Sequence, residues 1–526
     1  HGAHYFAYAS YTVPVFTGVV AALDDTPWEL IEGALARLKL YLMHLRFYGN
    51  LLDVPFSMHG RHPFSGGRIR ASMYRQMAEA GPGEGEADFD AELAAAHLRL
   101  PAEEPEEPPF EGRDVSAEAP PQGSLTMPYA GITAHRRDDW LVCAHAFGRY
   151  FWGTEIYANV NAFGAFIGAG ALTILRGGEP ISLAGSGYVA EGWDWARFDG
   201  ITAPDLPLDE LRNPKNGTQH TRTPHTFAGG LTHRGMHGCL VHRTEGPEWA
   251  APGLHARKTY FLLGDRVIAL GSGIAADEAE HPVLTNLFQR HLSEPEVPIV
   301  ADGERLTGSD VERELPRDRA SWLIDTVGTG FLVAAGQPVH VARRHQLSRD
   351  KDDTKDTEGD FASAWIDHGT APEGGAYEYA IIVNATPERM AALAEAADAG
   401  DAPWRVLRRD ERAHIVRDEP TGITACVLFE PGEIAAELPV TSVDRPCLLM
   451  LEADGDGWWL SISDADLNLQ DHVSVPRELG VTLRGRWRLE DAPGEISSAA
   501  VDDEATILTV RCHDGAGFAC RLAPPP

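Results

Sequence analysis

The chain has 526 residues, of which 43% are hydrophobic and 23% are charged, a balance typical of globular proteins. Its 78 acidic residues outnumber its 45 lysines and arginines and give a net charge of -33. A nucleic-acid-binding surface is basic, so this charge argues against a nucleic acid as partner. The length predicts about two to four domains.

Helical patterns fill the first hundred residues. The sequence TPWE at Thr26–Glu29 matches a capping box with proline at the first helical position. Apolar residues then recur at helical spacing as far as Leu45, and Gly49 ends the run. Shorter helices are predicted at 69–80 and 88–98. We expect no uncharged apolar run near the roughly 18 residues of a membrane span, and therefore no membrane partner.

Beyond residue 100 the pattern changes from helix to strand. Residues 101–122 are rich in proline and glutamate and are predicted to form an extended linker. Short alternating runs such as 260–274 and 447–463 then predict stacked antiparallel sheets, interrupted by one helix at 386–400. The predicted organisation is a helical domain at 1–100, the linker at 101–122, a large β-sandwich at 123–385 and a smaller β-sandwich at 386–526.

Metal and redox motifs are absent from the sequence. The six cysteines form no CxxC pair, and small buried thiols are favoured, with a Cys512–Cys520 disulfide as the alternative. The Asp-rich run 350–360 lacks the ligand spacing of a calcium loop and favours a solvated loop, with calcium as the alternative. His220 and His225 lack carboxylate or thiol partners at helical spacing and are predicted to be turn histidines. No metal site and no required cofactor are predicted.

Four stretches place polar residues among aromatic or glycine-rich neighbours, as active sites do. In the stretch 191–200, Trp193 and Trp195 are predicted to be core residues, with stacking on sugar rings as the alternative. The stretches are HYFAYASY (4–11), HGRHPFSGG (59–67), HRRDDW (135–140) with GTEIYANVNAFGAF (153–166), and EGWDWARFDG (191–200).

Several long segments resemble, in the same order, polysaccharide lyase family 8, which includes chondroitin AC, hyaluronate and xanthan lyases. The similarity is greatest to the chondroitin ABC lyases. The resemblance implies an α+β fold: the end of an (α/α) toroid, then an antiparallel β-supersandwich and a smaller C-terminal β-sandwich. It also implies that most of the toroid precedes this chain. The segments that carry it are GRHPF (60–64), EGWDWARFDGITAPDLPLDEL (191–211), ARKTYFLLGDRVIALGSGI (256–274), TNLFQ (285–289), EGDFASAWIDHGTAPEGGAYEY (358–379) and NATPERM (384–390).

The family's catalytic residues can be carried over one by one. Its histidine and tyrosine lie seven residues apart in a segment resembling HEGNYPGY, which falls on His4 and Tyr11. Its arginine in GRHPF falls on Arg61, and its glutamate falls on Glu155. The resemblance implies that Tyr11 is base and acid, that Arg61 activates it, that His4 binds the carboxylate or serves the C5 epimer, and that Glu155 orients Arg61 or His4. Substrate-side contacts are expected at His135, Arg136, Asn161 and Arg197.

These roles suit the β-elimination of a uronic acid. A base must remove the C5 proton, an acid must protonate the leaving C4 oxygen, and the carboxylate charge must be neutralised. The expected function is therefore a polysaccharide lyase that cleaves chondroitin, dermatan sulfate or hyaluronan. The alternatives are a lyase acting on xanthan or another acidic polysaccharide, a hydrolase using Asp194 and Glu155, and a non-catalytic carbohydrate-binding protein. The expected partner is an acidic polysaccharide, the expected state a monomer, and the expected location secreted or periplasmic.

Three departures from the family pattern concern the substrate. Ala162 and Ala165 stand where the ABC-type relatives have arginines, which removes charge that could bind sulfate and favours a less sulfated chondroitin or hyaluronan as substrate. Leu284 stands where relatives have a glutamate before paired threonines, and Asn286 replaces the second threonine. The family's carboxylate-binding asparagine would lie upstream of this sequence.

Overall fold

The structure is a computed structural model of the chain. The helices are α1 (Tyr5–Leu23), α2 (Glu32–Tyr48), α3 (Ala71–Ala80), α4 (Ala91–Arg99), α5 (Leu208–Leu211) and α6 (Pro387–Ala399), with 3₁₀ turns at Phe56–His59, Pro128–Ala130 and Ala184–Ser186. The residues that the structure describes are 5–24, 26–64, 68–80, 89–101, 110, 112–215, 219–434, 438–500 and 504–525.

Helix α2 begins later than its sequence predicted. Its first residue is Glu32, and Gly49 caps its end as expected. The hydroxyl of Thr26 donates to the carbonyl of Leu23 at 2.6 Å and so closes the end of α1. The Thr26 oxygen still accepts from the Trp28 amide at 3.3 Å, and the Glu29 amide donates to the Thr26 carbonyl at 3.2 Å. The predicted capping box therefore closes a single turn between the two helices and does not open α2.

Helix α1 contradicts the expectation about apolar runs. Phe6–Leu23 is 18 residues long with a mean hydropathy of 1.5, so by length and composition it could cross a membrane. Only 22% of this segment is buried, and Pro14 lies within it. One face nevertheless packs on the described fold, because the hydroxyl of Thr17 donates to Gln76 Oε1 at 2.7 Å.

The central region is built from short antiparallel strands. They are β1 (Gly123–Met127), β2 (Ile132–Arg137), β3 (Trp140–His145), β4 (Glu155–Ile156), β5 (Ala171–Leu175), β6 (Thr202–Pro204), β7 (Gln219–His220), β8 (Gly229–His233), β9 (His237–Glu245), β10 (His255–Leu263), β11 (Arg266–Ala275), β12 (Val283–His291), β13 (Ile299–Ala301), β14 (Glu304–Leu306), β15 (Val311–Glu314), β16 (Ser321–Ile324), β17 (Gly330–Val333), β18 (Val339–Arg349), β19 (Asp356–Asp367) and β20 (Gly375–Ile382).

The C-terminal region continues the same pattern. Its strands are β21 (Trp404–Arg409), β22 (Ala413–Asp418), β23 (Ile423–Leu428), β24 (Gly432–Glu433), β25 (Val440–Val443), β26 (Cys447–Asp454), β27 (Gly457–Ser463), β28 (Leu469–Gln470), β29 (Val473–Ser474), β30 (Arg477–Arg484), β31 (Arg488–Glu490), β32 (Ile496–Ala500), β33 (Ala505–Cys512) and β34 (Phe518–Ala523).

In the described chain these strands form five larger sheets and two short ribbons. The central sheets have the strand orders β1-β2-β3-β5, β14-β13-β16-β17-β20-β11-β10-β9-β8 and β15-β18-β19-β12-β6. The C-terminal sheets have the orders β21-β22-β23-β26-β27-β34-β31 and β24-β25-β30-β33-β32. The ribbons are β28-β29 and β4-β7. This architecture confirms the predicted succession of helices, large sandwich and small sandwich.

Strand β10 shows how the nine-stranded sheet is buried on both faces. Successive side chains of a strand point to opposite faces. Tyr260 and Leu262 accordingly pack in the core shared with the other central sheets and the helices. Phe261 and Leu263 pack in a second core with residues of the seven-stranded C-terminal sheet. Met390 of helix α6 also belongs to this second core. Helix α6 follows residue 385, where the boundary between the two sandwiches was predicted. The position of that boundary stays a prediction.

Buried histidines predict that the fold loses stability in mild acid. Burial lowers the pKa of His59 and His368 to about 4 and that of His145 and His414 to about 3. Unfolded histidine titrates at about 6.5, so below that pH the unfolded chain binds more protons and stability falls as the pH falls. We expect the melting temperature to drop by about 10 °C or more between pH 7 and pH 4.5. Circular dichroism would measure the melting temperature at both pH values. An unchanged melting temperature would contradict the burial of these histidines.

Candidate active site

The backbone before Arg61 turns sharply. Gly60 follows the 3₁₀ turn with φ of 58°, a left-handed conformation that glycine adopts without a steric penalty. Its carbonyl accepts a hydrogen bond from the Thr154 hydroxyl at 2.8 Å. This bond joins the end of the helical region to the residue before Glu155 and so brings Arg61 to strand β4.

Arg61 and Glu155 form the centre of the site. Arg61 Nη1 donates to Glu155 Oε2 at 2.6 Å, and the Tyr157 hydroxyl donates to Glu155 Oε1 at 2.7 Å. Glu155 is only 5% exposed, so this pair is shielded from water on the glutamate side. The hydrogen bonds to Glu155 and then to Tyr8 raise the pKa of Arg61, which keeps its guanidinium charged. The site therefore holds a fixed positive charge.

Tyr8, not Tyr11, contacts this charge. Arg61 Nη1 donates to the Tyr8 hydroxyl at 3.3 Å. Tyr11 lies about one helical turn further along α1, and its side chain is 70% exposed. The structure thus corrects the assignment of Tyr11 as the partner of Arg61. The predicted His4 lies outside the described residues.

The sequence contains a second match to the family segment, and this match ends on Tyr8. His1 precedes Tyr8 by seven residues, the spacing that separates His4 from Tyr11. HGAHYFAY therefore fits the HEGNYPGY pattern as well as HYFAYASY does, and spacing alone cannot choose between them. His1 also lies outside the described residues.

Packing at the start of α1 fixes the position of Tyr8. Phe6 is buried, and its ring meets the ring of His59 edge-on, with centroids 5.4 Å apart. His59 in turn belongs to the 3₁₀ turn that leads to Arg61. The same short segment therefore anchors the helix that carries Tyr8 and presents Arg61 to it.

A histidine that the sequence assigned to a turn also reaches the site. Strand β7 pairs with β4 so that His220 lies opposite Glu155. Its Nε2 is 3.9 Å from Glu155 Oε1, and its ring stacks on Trp152 with centroids 3.5 Å apart. Burial is the main cause that lowers the pKa of His220, and the charge of Arg222 lowers it further. Local sequence does not indicate this pairing, because it joins strands that are far apart in the chain.

His135 and Arg136 do not face a substrate, which corrects their predicted role. Both side chains are fully buried. His135 bonds to the Ser124 hydroxyl at 2.6 Å and the Gly264 carbonyl at 2.9 Å. Arg136 donates to Asn50 Oδ1 at 2.8 Å and to backbone carbonyls at the end of α2. Arg136 thus joins the helical region to strand β2, and His135 joins strand β1 to the turn between β10 and β11.

Arg197 and Asn161 also have structural partners. Arg197 is buried, donates to both carboxylate oxygens of Asp205, and lies over the ring of Trp365 at 4.1 Å. This removes it as the predicted substrate contact. Asn161 is buried as well, and its Nδ2 donates to the Glu155 carbonyl at 2.9 Å. It therefore holds the backbone of Glu155 in place.

The loop that carries the Asp-rich run lies against the site. Asp352 Oδ1 accepts from the Asn161 amide at 3.1 Å, and the Lys351 carbonyl accepts from the Ala162 amide at 2.6 Å. Asp350 bonds within its own loop to Thr354. Among the described residues, no group of three or more His, Cys, Asp or Glu side chains could hold a metal ion. Calcium therefore gains no support from this run.

Other sequence predictions concern buried residues. Trp193 and Trp195 are fully buried, which confirms them as core residues. All six cysteines are buried and unpaired, so the Cys512–Cys520 disulfide is not formed. Asp194 contacts Arg197 at 3.1 Å, whereas Glu155 contacts Arg61. These different partners give no support to a hydrolase that would use both carboxylates.

Three family descriptions match successive parts of the chain. The description "Polysaccharide lyase family 8, super-sandwich domain" matches residues 128–394. "Lyase, catalytic" matches residues 1–107, and "Polysaccharide lyase family 8, C-terminal beta-sandwich domain" matches residues 405–471. These three matches follow the order of helices, large sandwich and small sandwich.

Individual relatives share only part of their length with this chain. A chondroitin sulfate ABC endolyase of Proteus vulgaris is 28% identical over 99% of this chain and 51% of that enzyme. A chondroitin sulfate ABC exolyase of Bacteroides thetaiotaomicron is 30% identical over 99% of this chain and 55% of that enzyme. The solved structure of a Paenibacillus xanthan lyase has a TM-score of 0.79 at 16% identity, covering 99% of this chain and 51% of that one. The chain thus spans about half the length of the relatives it matches.

Proposed function

Because the chain belongs to polysaccharide lyase family 8, we propose that it cleaves a uronate-containing glycosaminoglycan, chondroitin, dermatan sulfate or hyaluronan, by β-elimination. The observation that carries this proposal is the contact of one guanidinium, that of Arg61, with both Tyr8 and the buried Glu155. A binding protein needs no phenol held beside a fixed cation. An eliminating enzyme needs this pair to move a proton.

Tyr8 carries both proton transfers in this proposal. Its phenolate removes the C5 proton of the uronate, the C4–O bond breaks, and a C4–C5 double bond forms. The same hydroxyl then gives the proton to the departing oxygen, so no water is consumed. This role moves from Tyr11 to Tyr8 because Arg61 donates to Tyr8.

Arg61 provides the electrostatic support. Its positive charge stabilises the phenolate of Tyr8 and the negative charge that develops on the uronate as the C5 proton leaves. Glu155 fixes the guanidinium, and Tyr157 and Asn161 fix Glu155. Every step is assigned to a protein side chain, so the proposal requires no cofactor. Equal activity with EDTA and with added calcium is the expected result.

The experiment presents chondroitin, dermatan sulfate, hyaluronan and xanthan separately to the protein. Growth of ultraviolet absorbance from the C4–C5 double bond is expected with at least one of the first three. Growth with xanthan alone would favour the alternative substrate. Chain shortening without absorbance would indicate a hydrolase, and binding without shortening would indicate a carbohydrate-binding protein; either outcome would overturn the proposal.

The location and assembly of the protein follow from the same proposal. A polymeric substrate is too large to enter a cell intact, so we propose that the protein is secreted or periplasmic. We also propose that it acts as a monomer on its acidic polysaccharide. Cell fractionation and light scattering would test these two points.

A further inference from the structure

A second arginine lies on the same side of the molecule as the catalytic pair. Arg222 follows strand β7 by two residues, and its guanidinium lies over the Trp152 ring at 5.2 Å. The ring of Trp152 also stacks on His220, which lies opposite Glu155. We call Arg222, Trp152 and His220 the Trp152 stack. It extends from the catalytic glutamate to an exposed cation.

The charge of Arg61 is balanced by a carboxylate, whereas that of Arg222 has no carboxylate partner among the described residues. Arg61 is paired with Glu155 at 2.6 Å. Arg222 is exposed and forms no ion pair with a carboxylate of the described chain. In a protein of net charge -33, such a cation beside the proposed cleavage site favours an anionic ligand. Ala162 and Ala165, which stand where the ABC-type relatives have arginines, are buried and supply no charge.

The position of Arg222 indicates which anion it meets. The uronate carboxylate adjoins C5, so in the proposed reaction it lies at Tyr8 and Arg61. Arg222 is separated from Arg61 by the Glu155 carboxylate and by the rings of His220 and Trp152. In the proposed reaction the uronate carboxylate is held elsewhere, so the anion that remains for Arg222 is the sulfate ester of the neighbouring hexosamine.

We propose that Arg222, held on Trp152, binds the sulfate ester of the hexosamine next to the cleaved bond. This inference rests on the proposed function, because it takes the position of the uronate from it. A guanidinium suits a sulfate since its fork of N–H donors can form two parallel hydrogen bonds. Stacking on an indole holds that fork in place at little further entropic cost. The site would thus prefer sulfated chondroitin to hyaluronan.

The test is a binding measurement, which does not require turnover. Calorimetry would compare a chondroitin sulfate tetrasaccharide with an unsulfated chondroitin tetrasaccharide. R222Q is expected to reduce the ratio of the two affinities about tenfold, the loss of one charge-assisted contact. R222K is expected to retain part of the ratio. R405Q, at an exposed arginine of the C-terminal sandwich, is the matched control and is expected to leave the ratio unchanged.

Two outcomes would overturn the proposal. One is that R222Q binds both tetrasaccharides as tightly as the wild-type protein does. The other is that R222Q loses affinity equally for both, which would leave the ratio unchanged and assign Arg222 to the carboxylate. A second variant, W152F, retains a ring under the guanidinium and is expected to preserve more of the ratio than W152L. If no polymer is cleaved but R222Q still loses the sulfate preference, the proposed function fails while the subsite stands.

Discussion

Removal of the Tyr8 hydroxyl in Tyr8→Phe is expected to lower kcat/KM for elimination about a thousandfold, in the range of a lost general acid–base group. The reason is that Arg61 donates to this hydroxyl, which carries the proton in both transfers of the proposed reaction. The measurement is the initial rate of double-bond absorbance with the polymer that the wild-type protein cleaves fastest.

Tyr11→Phe is the matched control for this variant. Both tyrosines lie on α1 with exposed rings, and both variants lose one hydroxyl group. Tyr11→Phe is expected to change kcat/KM less than about threefold, within the effect of a surface substitution. A large loss in Tyr11→Phe together with an active Tyr8→Phe would restore the His4–Tyr11 alignment and reject the assignment made here.

Loss of Arg290 is expected to cost about 3–5 kcal/mol of folding free energy, the typical cost of breaking a buried ion pair. Arg290 is fully buried between two buried carboxylates, with Nη1 2.7 Å from Asp199 Oδ2 and Nε 2.9 Å from Asp325 Oδ2. Arg290→Met fills a similar volume but leaves both carboxylates buried without their cation. Denaturant unfolding would measure the loss.

An exposed ion pair provides the comparison. Arg405 contacts Glu419 at 2.7 Å with both side chains largely in water. Arg405→Met is expected to cost less than about 1 kcal/mol, since solvent screens such pairs. Combining Arg290→Met with Asp199→Asn and Asp325→Asn should recover part of the lost stability. Equal losses at Arg290 and Arg405 would show that burial does not determine the effect.

Most of the fold could be predicted from the spacing of apolar residues and from the residues that bound helices and strands. Alternating runs such as 260–274 identified strands β10 and β11, and Thr386 and Gly400 correctly bounded α6. The start of α2 differs from the prediction because Thr26–Glu29 closes only one turn, which local sequence does not distinguish from the first turn of a helix. The apolar length of α1 was visible in the sequence and was overlooked.

The site was predicted less completely than the fold. The family pattern placed Arg61 and Glu155, and these two residues, 94 positions apart in sequence, do form an ion pair. It could not decide between Tyr8 and Tyr11, because both lie seven residues after a histidine. It missed His220, since only the pairing of β4 with β7 brings that residue to Glu155.

Charged residues in the predicted strands were misleading for a physical reason. His135 and Arg136 resemble substrate contacts in sequence because such residues are seldom fully buried. In the fold, backbone carbonyls left open at the end of α2 accept hydrogen bonds from Arg136. These carbonyls need a hydrogen-bond donor because the end of α2 packs on a sheet. The sequence around His135 does not indicate this packing.

Mass spectrometry of the reaction products is the sharpest test of the proposed elimination. Each new non-reducing end is expected to carry an unsaturated uronate, one water lighter than the product of hydrolysis. The Arg61→Ala variant is expected to form no such product. New ends of full hydrated mass would contradict elimination, and unsaturated products from Arg61→Ala at the wild-type rate would contradict the assigned site.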